Sequence, residues 1–144
     1  MRKISILGST GSVGTQTLEV IKAYREDFFV VGLVAKRSSE KLLRQAVEIR
    51  PKYVVSYEEP TKEWLSSLPP ETTYIKGEEG LTQVIKESEY VLNAISGVDG
   101  ILPTYYTLKE NKKLLASNKE SVICLGELVK EKRELLIPVD SEHN

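Results

Sequence analysis

The chain has 144 residues, the size of one ordinary domain and enough to bury a hydrophobic core. Hydrophobic residues make up 40% and charged residues 28%, a mixture typical of a globular protein and not of a disordered one. The net charge of -1 argues against a nucleic-acid-binding protein, which needs a basic excess on one face. A local basic cluster would still suit a small phosphorylated ligand.

Cysteine content and hydropathy exclude further classes. Cys124 is the single cysteine, which rules out an internal disulfide and a cysteine-based zinc site. No apolar run reaches the roughly 18 residues of a membrane span. Residues 1–4 pass directly into a β-like run with no signal-peptide core. We therefore expect a soluble, cytoplasmic protein without a membrane partner.

Short β-rich runs alternate with helical patterns along the chain. The predicted strands are residues 3–7, 28–35, 53–56, 73–76, 90–94, 113–116 and 134–139. Continuous apolar runs such as residues 29–34 are typical of strands that are buried on both faces of a parallel sheet. One helical pattern includes residues 17–22, a second has an apolar stripe from Leu42 to Ile49, and a third covers residues 117–132. The alternation predicts an α/β, Rossmann-like fold with a doubly wound, mostly parallel sheet and helices on both faces.

A glycine-rich turn lies between the first strand and the first helix. It consists of Gly8, Ser9, Thr10, Gly11, Ser12, Val13 and Gly14. Gly8 allows a tight turn, Gly11 lets the backbone approach a pyrophosphate, and Gly14 permits close packing of helix against strand. The free N–H groups of the helix start would bind the phosphates. The spacing G-x-x-G-x-x-G departs from the usual G-x-G-x-x-G, and a turn without a ligand is the alternative.

The end of the second strand indicates which nicotinamide cofactor is preferred. An NAD site needs a carboxylate there for the ribose 2′-hydroxyl, but no acidic residue comes before Glu40. Instead Lys36, Arg37 and Ser38 follow the strand, and Arg37 can bind a 2′-phosphate through two N–H groups. NADPH is therefore favoured over NADH. Ordinary solvated charges are the alternative interpretation of Lys36 and Arg37.

Three later segments have residues suited to a site. Ser96 and Gly97 follow a predicted strand and are small enough for close contact with a flat ring. Residues 118–121, Asn-Lys-Glu-Ser, follow the next strand and open a helix, although a helix start with mixed surface charge would look the same. Asp140 and Glu142 follow the last strand, where α/β proteins build sites, unless the segment is a frayed polar tail.

Together these motifs resemble the 1-deoxy-D-xylulose 5-phosphate reductoisomerase family, NADPH-dependent enzymes of the non-mevalonate isoprenoid pathway. The resemblance covers the whole chain and is carried by residues 6–14, 116–121 and 138–144. Two departures from the family pattern are visible. Ala116-Ser117 replaces the usual Leu-Ala, and residues 35–38 differ from the commoner Gly-Lys-Asn type.

The resemblance implies a cofactor site. The seven residues from Gly8 to Gly14 would hold the NADPH pyrophosphate, and Arg37 with Ser38 would read the 2′-phosphate, with Lys36 assisting. Ser96 and Gly97 would lie near the nicotinamide, and Asn118 and Glu120 would be further cofactor contacts.

The resemblance also implies catalytic and metal sites. Lys119 and Ser141 would contact a phosphorylated sugar, and Asp140 with Glu142 would bind Mg²⁺, Mn²⁺ or Co²⁺. In an extended segment residues i and i+2 share a face, so both carboxylates could reach one cation. That cation would polarise substrate oxygens during the carbon-skeleton rearrangement, before hydride reduces the resulting aldehyde to 2-C-methyl-D-erythritol 4-phosphate.

Length is the main difference from the family. Its enzymes are more than twice as long and homodimeric, with the remaining metal ligand, the substrate-phosphate site, the lid and most dimer contacts elsewhere. We expect residues 1–144 to be one NADPH-binding domain that ends just after the metal motif and is inactive alone. Two alternatives stay open: another NADP-dependent oxidoreductase, such as a semialdehyde or homoserine dehydrogenase, or a non-catalytic dinucleotide-binding module.

Overall fold

Strands and helices alternate along the chain, as the sequence predicts. The computed structural model describes residues 1–116 and 136–138. The described elements are β1 (Arg2–Leu7), α1 (Ser12–Ala23), β2 (Phe28–Val34), α2 (Glu40–Ile49), β3 (Tyr53–Ser56), α3 (Lys62–Ser66), β4 (Thr73–Lys76), α4 (Gly77–Glu87), β5 (Tyr90–Asn93), α5 (Ile101–Lys109), β6 (Lys113–Ala116) and β7 (Leu136–Pro138), with short 3-10 helices at Arg25–Asp27 and Gly97–Gly100.

The strands form one parallel sheet. Their order is β4-β3-β2-β1-β5-β6-β7, and every neighbouring pair is parallel. The chain adds strands outward from β1 to β4 and then returns to the other side of β1 with β5. The order therefore reverses between β1 and β5, and ligands of doubly wound proteins bind at the carboxyl ends of the strands at such a point. This topology confirms the predicted Rossmann-like fold class.

Apolar side chains cover both faces of the sheet. On one face α1, α2 and α3 pack against the strands, and on the other face α4 packs, with α5 beside it. Leu42, Ala46 and Ile49 of α2 are buried because they recur every three to four residues, which places them on one side of the helix. Val31 and Val34 lie on the opposite face, where Val84 and its neighbours in α4 cover them; a β-bulge in β2 opposite Ile4 and Ser5 lets both share this face.

Most element boundaries agree with the predicted ones within two residues. Helix α1 begins at Ser12, earlier than the apolar pattern at residues 17–22, so Gly14 lies in its first turn. Helices α3, α4 and α5 are additional to the three predicted patterns. The third predicted pattern, residues 117–132, lies outside the described residues. Within the described part of the chain, no helix combines the length and hydrophobicity that crossing a membrane requires.

Candidate cofactor site

Gly8 joins the carboxyl ends of the three central strands. Its N–H and that of Ser9 both donate to the carbonyl oxygen of Val34, at 2.7 and 3.1 Å, which ties the turn after β1 to the end of β2. A Cβ on Gly8 would lie 3.0 Å from the carbonyl carbon and oxygen of Ala94, just after β5. With φ at +80°, the position also disfavours any residue with a side chain.

Gly14 and Gly11 are glycines for different reasons. A Cβ on Gly14 would lie 2.3 Å from the Gly8 carbonyl oxygen and 2.7 Å from Ser9 Cα, so α1 packs directly on the turn. The predicted close packing at Gly14 is therefore present, and its partner is the backbone of the turn. A Cβ on Gly11 would meet only the Gly8 carbonyl oxygen, at an ordinary 3.6 Å. Intramolecular packing thus requires glycine at position 14 but not at position 11.

Side chains of α2 fix the orientation of the turn. The Ser9 carbonyl oxygen accepts from Gln45 Nε2 at 2.9 Å, and the Thr10 carbonyl oxygen accepts from Lys41 Nζ at 2.8 Å. The Ser9 C=O and the Thr10 N–H belong to one peptide unit and point in opposite directions. Because the Ser9 carbonyl faces Gln45 of α2, the Thr10 N–H is directed away from α2. Neither Lys41 nor Gln45 was among the predicted site residues. Their role depends on the packing of α2 against the turn.

The start of α1 has free hydrogen-bond donors. Its N-cap, Gly11, has no side chain, and the first turn contains no acidic residue. The N–H groups of Ser12, Val13 and Gly14 have no acceptor among the described residues. By contrast, the Ser39 hydroxyl caps α2 by accepting from the Leu42 N–H at 3.1 Å. Uncapped donors at a helix N-terminus bind anions well.

Ser9 adds a buried hydroxyl without a partner. The residue is completely buried, and its Oγ makes no hydrogen bond within the described part of the chain. A buried unpaired hydroxyl costs free energy, on the order of 1–3 kcal/mol, so such groups usually have a missing partner. A phosphate oxygen would accept from the free N–H groups of α1, and a small adjustment of the turn would be needed for the Ser9 hydroxyl to reach it. The turn therefore fits the pyrophosphate predicted for it.

The segment after β2 runs along the segment after β3. Backbone pairing continues past both strand ends: the Ala35 N–H donates to the Val55 carbonyl at 3.0 Å, and the Tyr57 N–H to the Lys36 carbonyl at 3.0 Å. The side chains of Lys36 and Arg37 are exposed, and Arg37 forms no ion pair with the described residues. Because Val34 binds the glycine turn, this segment lies at the same sheet edge.

Ser38 is held by the chain segment after β3. Its N–H donates to a carboxylate oxygen of Glu58 at 3.1 Å, and its hydroxyl donates to the Glu58 carbonyl at 2.7 Å. The Ser38 hydroxyl also lies 2.6 Å from Ser56 Oγ, which in turn lies 2.6 Å from the Tyr74 hydroxyl. A line of three hydroxyl groups therefore runs from Ser38 to β4.

Ser96 and Gly97 follow β5 on the other side of the glycine turn. The buried Asn93 side chain orders this segment by donating to the Gly100 carbonyl at 3.0 Å and to Thr104 Oγ1 at 2.8 Å. Ser96 is exposed, and a Cβ on Gly97, at φ +71°, would have nothing within 4 Å. Since Ala94 contacts Gly8, the structure brings these residues to the same edge as the turn. Sequence reasoning did not identify Asn93.

The other predicted site residues lie outside the described part of the chain. These are Asn118, Lys119, Glu120, Asp140, Ser141 and Glu142. Their predicted roles as cofactor contacts, substrate contacts and metal ligands therefore stay predictions. Among residues 1–116 and 136–138 there is no cluster of three or more His, Cys, Asp or Glu side chains able to hold a metal ion.

Comparison with known proteins identifies the family. The family model for 1-deoxy-D-xylulose 5-phosphate reductoisomerase matches residues 4–126. The chain belongs to this family. A reductoisomerase from Aquifex aeolicus is 59% identical over 142 residues, which cover 99% of this chain and 37% of that relative. This membership decides against the alternative that the chain belongs to another NADP-dependent oxidoreductase, such as a semialdehyde or homoserine dehydrogenase.

Solved reductoisomerase structures have the same fold. The Zymomonas mobilis enzyme in complex with NADPH gives a TM-score of 0.84 at 29% identity, over 99% of this chain and 39% of that one. A DOX-P reductoisomerase in complex with NADPH, fosmidomycin and magnesium gives 0.86 at 27% identity, over 99% and 37%. The chain thus spans well under half the length of the reductoisomerases it matches.

Proposed function

We propose that this chain is the NADPH-binding portion of a 1-deoxy-D-xylulose 5-phosphate reductoisomerase. The observation that carries the proposal is the glycine turn, where free N–H groups at the start of α1 lie at the reversal of strand order and the buried Ser9 hydroxyl has no partner among the described residues. The family membership and the NADPH complex of a similarly folded reductoisomerase support it.

The cofactor would lie across the carboxyl edge of the central strands. Its pyrophosphate would bind the turn from Gly8 to Gly14, and its adenosine 2′-phosphate would bind Arg37 and Ser38, assisted by Lys36. The nicotinamide would lie on the β5 side, near Ser96 and Gly97, where it supplies the hydride. The positions of the three segments support this direction, because the glycine turn lies between β2 and β5. Asn118 and Glu120 are proposed as further cofactor contacts.

The complete enzyme is proposed to convert 1-deoxy-D-xylulose 5-phosphate to 2-C-methyl-D-erythritol 4-phosphate. Asp140 and Glu142 would contribute two ligands to Mg²⁺, Mn²⁺ or Co²⁺, which prefer oxygen donors. Lys119 would stabilise negative charge on substrate oxygens, and Ser141 would bind substrate. We also propose that the full-length protein is a homodimer, as the family resemblance implies.

Arg37→Ala tests the cofactor assignment. A guanidinium that pairs with the 2′-phosphate stabilises NADPH but has no counterpart in NADH. In calorimetric titrations of the 144-residue chain, we expect the substitution to weaken NADPH binding about 10- to 100-fold and NADH binding less than about twofold.

Lys86→Ala is the matched control. Like Arg37→Ala it removes one exposed positive charge, but Lys86 belongs to α4, which packs on the other face of the sheet from α2. It should leave both affinities unchanged. If the wild-type chain binds NADPH and NADH equally well, the assignment of Arg37 to the 2′-phosphate is wrong.

A further inference from the structure

Glu58 occupies the hydrogen-bond donors that a 2′-phosphate would need. Its carboxylate accepts the Ser38 N–H at 3.1 Å, and its backbone carbonyl accepts the Ser38 hydroxyl at 2.7 Å. Both donors of the residue proposed to read the phosphate are therefore bound to Glu58. A carboxylate oxygen and a phosphate oxygen are both anionic acceptors, so Glu58 marks a position where this segment already binds an anion.

The arrangement is fixed by the sheet and not by chance contact of two loops. Pairing of Ala35 with Val55 and of Tyr57 with Lys36 holds the two segments in register beyond β2 and β3. In the polar chain beside them, Ser38 gives its one hydroxyl proton to the Glu58 carbonyl. Ser56 Oγ lies 2.6 Å from Ser38 Oγ, 2.6 Å from the Tyr74 hydroxyl and 3.2 Å from the Glu58 carbonyl oxygen, to which it can also donate. While it donates to the Glu58 carbonyl, the Ser38 hydroxyl has no proton left to donate to a phosphate.

We propose that Glu58 sets how strongly the site prefers NADPH over NADH. Its carboxylate must leave the Ser38 N–H before a 2′-phosphate can take that donor, and like charges then lie side by side. A ribose 2′-hydroxyl meets no such penalty, because it can donate to the carboxylate, as in NAD sites with an acidic residue after the second strand. Glu58 therefore lowers the affinity for NADPH while it tolerates NADH. This inference rests on the proposed function.

The adjacent Glu59 provides a matched control. Both carboxylates are exposed, but Glu59 is directed to Lys76 Nζ at 2.8 Å and makes no contact with Ser38. Glu58→Gln and Glu59→Gln each remove one negative charge from neighbouring positions. A general change in the electrostatic potential would therefore appear in both variants, whereas only Glu58→Gln replaces the anionic acceptor of the Ser38 N–H by a weaker, neutral amide oxygen.

The test is calorimetric titration of the 144-residue chain with NADPH and with NADH, for wild type, Glu58→Gln, Glu59→Gln and Arg37→Ala. We expect Glu58→Gln to bind NADPH about 5- to 10-fold more tightly and NADH no more tightly than wild type. In Glu59→Gln the ratio of the two affinities should stay within about twofold of wild type.

Four outcomes would overturn the inference. If Glu58→Gln and Glu59→Gln change the ratio equally, the effect is a general one of charge. If Glu58→Gln weakens NADPH binding, Glu58 prepares Ser38 for the phosphate and does not compete with it. If Arg37→Ala leaves the preference for NADPH intact, the 2′-phosphate site is elsewhere and the proposed cofactor assignment fails as well. A selective loss in Arg37→Ala with no selective gain in Glu58→Gln would contradict this inference alone.

Discussion

Glu87 is a carboxylate at the end of α4 that is surrounded by donors. Lys52 Nζ lies 2.5 Å from one of its oxygens and the Tyr53 hydroxyl 2.6 Å from the other, and Gln83 Nε2 also donates to it. Burial disfavours the charged form, but the hydrogen bonds from Lys52, Tyr53 and Gln83 outweigh it and hold the pKa of Glu87 at about 2. The group therefore links α4 to the start of β3 in its ionised form.

Acid should weaken this link in a predictable range. The folded-state pKa of Glu87 lies below the value of about 4.3 for an unfolded chain, so its stabilisation is complete above about pH 5 and declines as the pH falls toward 2. Between pH 6 and pH 3, we expect the free energy of unfolding of wild type to fall about 1 kcal/mol more than that of Glu87→Gln, a figure reduced for partial exposure. Urea denaturation at each pH measures the free energy of unfolding of wild type and of Glu87→Gln.

Glu79→Gln is the control for that experiment. Glu79 lies in the same helix, and its carboxylate forms no ion pair with the described residues. Its variant should follow the wild-type pH dependence. Equal slopes for wild type and Glu87→Gln would mean that the donors around Glu87 do not stabilise the folded state.

Single residues of the site could be predicted from the sequence only where their neighbours along the chain determine their position in the fold. Arg37 and Ser38 were identified because they directly follow an apolar strand, and the end of a parallel strand is a known site position. Glu58 was not identified, because its contact with Ser38 spans 20 residues and exists only through the pairing of β2 with β3. The same holds for Lys41 and Gln45, which reach the glycine turn from another helix.

At the scale of elements, the junction of β1 and α1 depends on two glycines with separable roles. Gly14→Ala would place a Cβ against backbone atoms of Gly8 and Ser9, which have little freedom to move. We expect α1 to shift from the turn, with a loss of about 2 kcal/mol in the free energy of unfolding and loss of NADPH binding. Gly11→Ala meets no such obstacle, so we expect a loss of less than about 1 kcal/mol in the free energy of unfolding. That loss arises because alanine is a poorer N-cap than glycine.

Comparison of the two variants separates folding from binding. If Gly11 provides access for the pyrophosphate, Gly11→Ala should weaken NADPH binding at least about tenfold while the chain stays folded. Thermal unfolding and titration with NADPH report the two quantities. Unchanged NADPH affinity in Gly11→Ala would place the pyrophosphate away from this part of the turn.

Elements with strong apolar patterns were predicted, and the others were not. Several strands, such as β2, are continuous apolar runs and α2 has a clear apolar stripe, so these elements were located within two residues. Helix α4 contains Gly77 and Gly80, which lower helix propensity, and α3 has only five residues. Gly80 is needed because a Cβ there would lie 2.6 Å from the Ile75 carbonyl oxygen and 2.8 Å from Val55. Contacts with other elements, which no local sequence pattern contains, therefore determine where these helices form.

At the scale of the whole molecule, the sheet order determines which segments can form one site. The ends of β2 and β5, Val34 and Asn93, are 59 positions apart in sequence, yet both adjoin the turn after β1 because β1 lies between those strands. The sequence predicted the class of fold and the residues at the strand ends. It could not give the strand order, since neighbours in a parallel sheet are chosen by packing of the crossover helices.

The 144-residue chain is expected to be catalytically inactive on its own. It contains two proposed metal ligands, Asp140 and Glu142, whereas Mg²⁺ needs a nearly complete octahedron of oxygen atoms. The Aquifex aeolicus relative is much longer, with 37% of its length covered here. We therefore expect the chain to bind NADPH but not to oxidise it when 1-deoxy-D-xylulose 5-phosphate and Mg²⁺ are added.

Loss of NADPH absorbance measures the reaction, with the full-length Aquifex aeolicus protein as positive control. NADPH binding should not depend on turnover, because the glycine turn and the segments after β2 and β5 are formed within the described residues. Turnover also needs the substrate to be oriented against the cofactor, which requires more groups than these. Substrate- and Mg²⁺-dependent oxidation by the chain alone would mean that residues 1–144 already contain a working catalytic centre. Failure to bind NADPH, by contrast, would contradict the role proposed for the glycine turn.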